Sequence, residues 1–83
     1  MNRIRPAIVR IDTPDGVGSG TIISSDGYIL TNYHVVKGYS VANALVADKD
    51  YRSAYVVGYD DGLDLAIIKI QGGPYPYLQV AEH

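Results

Sequence analysis

Turn-forming residues interrupt this chain at roughly ten-residue intervals, and the runs between them are rich in Val, Ile and Tyr. That punctuation specifies an all-β barrel or sandwich. The first run covers residues 7–12 and ends in Thr13-Pro14-Asp15-Gly16, where proline presets φ and glycine accepts a positive one. Residues 17–24 form the second run, and Ser25-Asp26-Gly27 is a hairpin signal leading into residues 28–31. These three are expected to form a meander. A short irregular piece closed by Lys37-Gly38 precedes a run over 40–47, a turn at Asp48-Lys49-Asp50 and a run over 51–59. The sixth run, 65–70, is entered through Asp60-Asp61-Gly62.

Tyr51, Tyr55 and Tyr59 stand at a helical spacing, but Val56-Val57-Gly58 between them and the Asp-rich ends favour a strand. Six short strands would present exposed edges unless the sheet closes, so a closed antiparallel barrel is the favoured architecture. Gln71-Gly72-Gly73-Pro74-Tyr75-Pro76 then reads as a linker, better suited to a mobile or extended loop than to a ladder. Residues 77–80 follow it without an evident closing partner.

Eighty-three residues make one small domain, which buries only about 60–65% of its unfolded surface and gains from a partner. The net charge is −2 and the seven Lys and Arg are scattered, which argues against nucleic acid and against a polybasic membrane patch. With no cysteine, neither a disulfide nor a thiolate metal site is available. The basic start, residues 1–6, has no apolar stretch behind it, and no later run approaches the roughly 18 apolar residues of a spanning helix. The chain is expected to be soluble.

Two residue types bear on chemistry. A histidine general base needs a carboxylate that fixes its tautomer and steadies the imidazolium, so His34 and an aspartate at a strand end suggest acyl transfer. Taken alone, a single histidine is more often a packed or surface residue. Asp60, Asp61 and Asp64 each fit an ordinary turn carboxylate, and spacing does not choose among them. His83, the second histidine, is terminal and without matching acidic ligands, so no metal or organic cofactor is expected. Gly16-Val17-Gly18-Ser19-Gly20 lacks the phosphate-loop lysine and leads into a strand, which speaks against nucleotide binding. Ser19, Ser24, Ser25, Ser40 and Ser53 all lack the Gly-x-Ser-Gly setting of an activated nucleophile.

In order and spacing, Gly18-Ser19-Gly20-Thr21-Ile22-Ile23, Ser25-Asp26-Gly27-Tyr28-Ile29-Leu30-Thr31-Asn32, His34-Val35-Val36 and Asp64-Leu65-Ala66 resemble the trypsin-like serine proteases of the HtrA (Deg) branch. The resemblance runs from about residue 6 to residue 81. It implies a six-stranded Greek-key barrel, one half of the family's double barrel, with His34 as general base and Asp64 as its orienting partner. Residues 1–71 are then the amino-terminal barrel, and 72–83 are a linker that starts the connection to a second barrel. The family's Gly-Asn-Ser-Gly-Gly motif does not occur here. The implied substrate of the whole protein is a polypeptide, and family members are commonly exported or membrane-tethered. The chain alone is expected to be inactive and to self-associate. The alternative is a non-catalytic binding or self-associating barrel derived from a protease.

Overall fold

The computed structural model describes residues 7–79; the basic start and the last four residues, His83 among them, lie outside that range. Six strands and one helical turn follow in the order β1 (Ile8–Thr13), β2 (Gly16–Ile22), β3 (Tyr28–Thr31), α1 (Tyr33–Val36), β4 (Val41–Ala47), β5 (Asp50–Asp60) and β6 (Leu65–Ile70). Every strand pairing is antiparallel, and the strands close in the order β1-β2-β3-β6-β5-β4. Two meanders are thus joined by the crossing from β3 to β4. This is the closed antiparallel barrel favoured by the need to cover strand edges, with the Greek-key order that the family resemblance implied.

Period-two alternation supplies the core. Val9 and Ile11 on β1, Ile29 on β3, and Ala66, Ile68 and Ile70 on β6 point inward and are buried. Ala42 and Ala44 on β4 and Ala54 on β5 are buried too, with Ala42 opposite Ala54. Small side chains on β4 and β5 therefore leave room for the isoleucines of the other strands, which is how a narrow barrel fills without voids. Tyr51, Tyr55 and Tyr59 on β5 are about half exposed or more. Tyr51 and Tyr55 share a face because their spacing is even, whereas a register shift between Val56 and Gly58 places Tyr59 opposite Ala66 at the end of the strand.

Two stretches differ from the expected pattern. Ser24 leaves β2 and organises the hairpin: its hydroxyl donates to Asp26 Oδ1 at 2.5 Å and accepts from the Tyr28 N–H at 3.1 Å. The second difference is larger. Residues 71–79 form no loose loop but lie back on the barrel, where the Tyr75 N–H donates to Ser25 O at 2.9 Å and the Leu78 N–H to Ile22 O at 2.8 Å. The Tyr75 ring is only 9% exposed. Its hydroxyl accepts from Arg52 Nη1 at 2.7 Å and donates to Gln71 O. Arg52 is held in turn by both carboxylate oxygens of Asp50 at 2.9 and 3.2 Å. Glycines and prolines correctly exclude a ladder strand here, but one aromatic side chain is enough to dock the segment.

Candidate active site

Both proposed site residues sit at the same end of the barrel, each fixed by short-range hydrogen bonding. β3 ends at Thr31, whose buried hydroxyl donates to Ser19 O at 2.7 Å and ties the end of β3 to β2. Asn32 remains extended, with φ −82° and ψ 139°, and the chain then makes the single turn of α1. Val36 is fully buried beneath that turn. Val35 packs so closely on β2 that a Cβ at Gly18 would stand 2.6 Å from its Cγ2. With Val35 and Val36 committed to the barrel, the His34 side chain projects outward and is 71% exposed. The piece expected to be irregular is thus one helical turn, too short for any periodicity to register in the sequence.

Asp64 closes the turn between β5 and β6. The Asp60 carboxylate accepts the Leu63 N–H at 3.1 Å, and the Asp61 carbonyl accepts the Asp64 N–H at 3.1 Å. Asp64 itself has φ +55°, a left-handed conformation that aspartate tolerates better than most residues. Two donors hold it there: Tyr33 N–H and Asn32 Nδ2 both reach the Asp64 carbonyl at 3.1 Å. The turn thus uses the Asp60 carboxylate and the Asp61 main-chain carbonyl, and the Asp64 carboxylate faces α1.

The resulting contact between His34 and Asp64 is two-pronged. The His34 backbone N–H donates to Asp64 Oδ1 at 2.7 Å, and His34 Nδ1 lies 2.7 Å from Oδ2. An ionised carboxylate only accepts, so Nδ1 carries the proton and the neutral ring presents its lone pair at Nε2. The Asp64 pKa is lowered, first by the bond from the His34 ring and next by the bond from the His34 backbone N–H; partial desolvation opposes both. On the flank of the pair, Tyr33 and Tyr59 stack with ring centroids 4.2 Å apart and planes within 2°.

Sequence reasoning named His34 and Asp64 but not the groups that aim them. Asn32 and Tyr33 hold the Asp64 main chain, and both stand immediately before His34 in the sequence. Among the described residues no cluster of three or more His, Cys, Asp or Glu could hold a metal ion. The recorded side-chain hydrogen bond of His34 runs to Asp64, and Ser24 is occupied by its turn.

A family profile described as a trypsin-like peptidase domain matches residues 18–83. A putative serine protease, HhoB, of Synechocystis is 37% identical over 67 residues, covering 81% of this chain and 16% of that protein. A probable periplasmic serine endoprotease, DegP-like, of Marinomonas is 41% identical over 66 residues, 80% of this chain and 14% of its relative. The chain thus spans about one-sixth to one-seventh of the length of these curated relatives. In three dimensions, the crystal structure of a serine endoprotease from Yersinia pestis superposes with a TM-score of 0.84 at 32% identity, over 96% of this chain and 31% of that one.

Proposed function

Because the chain belongs to the trypsin-like peptidases of the HtrA type, we propose that it is the amino-terminal barrel of a serine endopeptidase, with His34 as general base and Asp64 as its orienting partner. The two-point contact between His34 and Asp64 carries this reading. A non-catalytic barrel has no need of it, whereas a base that must present Nε2 in one direction has. In the intact enzyme a serine from a second barrel attacks the peptide carbonyl. His34 Nε2 takes the hydroxyl proton and returns it to the leaving amine, which departs and leaves the acyl half as an ester on the serine; the same nitrogen then takes a proton from the attacking water and returns it to the serine oxygen, which frees the acid half and restores the base. Asp64 keeps its ionised state throughout and steadies the imidazolium formed between the two transfers.

Residues 1–71 make the first barrel, and 72–83 begin the connection to the second. The nucleophile, the oxyanion donors and the primary specificity pocket belong to that second barrel, so the chain by itself does not turn over peptides. Its polypeptide substrate lies across the end that carries His34. That same end, where Val17 and Leu63 are 65% and 69% exposed, is the surface through which the isolated chain self-associates.

Kinetics of the barrel joined to its serine-bearing partner test the assignment. Asp64→Asn is expected to lower kcat about 10⁴-fold by removing the carboxylate that selects the tautomer. His34→Ala is expected to lower it about 10⁶-fold, as loss of a general base does when it acts as a unit with its serine. An Asp64→Asn enzyme within tenfold of the parent would contradict the assignment.

A further inference from the structure

β5 carries one irregularity, and it lies next to the site. Ala54 and Val56 stand opposite Ile70 and Ile68 of β6, but from Gly58 onward the strand runs one residue out of step, with Gly58 opposite Ile67 and Tyr59 opposite Ala66. Val57 is the extra residue of a β-bulge. Residues directly opposite each other in an antiparallel pair share a face, and Ala66 is a buried core residue. The bulge therefore takes Tyr59 off the outer face that Tyr51 and Tyr55 occupy and aims it across the mouth of the barrel. It is still 62% exposed there, so burial alone does not place it.

What Tyr59 meets at the mouth is α1. Its ring lies parallel to that of Tyr33, with centroids 4.2 Å apart and planes within 2°. Three side chains anchor α1: Val36 in the core, Val35 against β2 at Gly18, and Tyr33 against Tyr59. The third anchor braces α1 on β5, the strand that runs into the turn bearing Asp64. Tyr33 also gives its main-chain N–H to the Asp64 carbonyl at 3.1 Å. One residue thus joins the stack to Asp64, and the next residue is His34.

The His34–Asp64 contact needs that brace. Its side chains are 71% and 44% exposed, and a charge-assisted contact so open to water has little holding power of its own. A histidine released from its carboxylate favours the proton on Nε2, which removes the lone pair a base must present. We infer that Tyr59 is a positioning residue: the bulge at Val57 aims its ring at Tyr33, and the stack holds α1 so that His34 keeps Nδ1 on Asp64. The inference rests on the protease reading for the use made of Nε2, but the tautomer is readable without turnover. An aromatic pair biases the engaged ring over the released one by roughly two- to tenfold.

The test is nitrogen NMR of the His34 imidazole in the purified chain at about pH 9, where the ring is neutral. A His83→Gln background leaves one imidazole, and the shifts of Nδ1 and Nε2 give the tautomer ratio. The parent is expected to hold the proton on Nδ1. Tyr59→Ala and Tyr59→Leu should each lower the ratio of Nδ1–H to Nε2–H roughly two- to tenfold; leucine keeps apolar bulk without a stacking face and decides the matter if truncation to alanine unsettles the barrel. Tyr59→Phe, whose ring still stacks, should keep the parent ratio, and so should Tyr51→Ala on the outer face of the same strand. An unchanged ratio in Tyr59→Leu, or an equal fall in Tyr59→Phe or Tyr51→Ala, would overturn the inference. In the two-barrel enzyme Tyr59→Leu should lower kcat by the same factor, and an effect on KM alone would count against positioning. Failure of the protease reading shows separately, as undiminished peptide hydrolysis by the His34→Ala two-barrel enzyme, and leaves the tautomer result standing.

Discussion

At the scale of single residues, the site depends on one carboxylate answering two donors of the same histidine. Its pH signature follows from the lowered Asp64 pKa. An unfolded aspartate titrates near 3.9, and the native value is depressed by the His34 ring bond and then by the His34 backbone bond. A depressed native pKa means that the contribution to stability is complete above about pH 4 and disappears as pH falls through the native value. Urea unfolding of the parent chain and of Asp64→Asn, compared from pH 7 down to pH 3, should show a gap that closes only at the acid end; a gap that stays constant would contradict this coupling. Asp64 also marks the limit of what residues alone disclose. Asp60, Asp61 and Asp64 are equivalent as letters, and only the Leu65-Ala66 that follows, read through the family resemblance, separated them. The physical separation is made by the turn, which takes up the Asp60 carboxylate and the Asp61 carbonyl and aims the Asp64 carboxylate at α1.

At the scale of elements, all six strands were legible, because Gly, Pro and Asp punctuation and inward-facing aliphatic residues are local signals. The turn α1 and the docked segment 71–79 were not. One is too short for a helical period, and the other is held by contacts across the sequence, from Tyr75 to Arg52 and Ser25. The Tyr75 ring, 9% exposed, acts as an apolar plug with a polar tip on Arg52. Tyr75→Ala should therefore cost roughly 3 kcal/mol, the scale of a deleted buried aromatic, and should open 71–79 to protease while the barrel persists. Chemical denaturation and limited proteolysis read the two effects. A variant as stable and as resistant as the parent would show that the segment contributes nothing to the fold.

At the scale of the whole molecule, closure leaves no exposed ladder along most of the sheet, and the stretch of β2 beside His34 is one place where a strand runs without a neighbour on one side. The site end also carries exposed Val17, Tyr59 and Leu63. Since 71–79 are tied to their own barrel, self-association is expected to proceed through this end rather than by exchange of the tail. Sedimentation velocity at high micromolar concentration should show a concentration-dependent dimer that Leu63→Asp weakens, and a strict monomer would contradict the expectation. The barrel and its family were legible from motif order, whereas for the nucleophile the residues offered only the observation that no serine of this chain stands in an activated setting. The central claim is that this barrel holds a base and its orienter without a nucleophile. Treatment of the purified chain and of the two-barrel protein with a serine-directed fluorophosphonate, alongside a peptide-hydrolysis assay, tests it most directly. The account predicts labelling and turnover for the two-barrel protein and neither for this chain; labelling of the chain at Ser19 or Ser25 would contradict it.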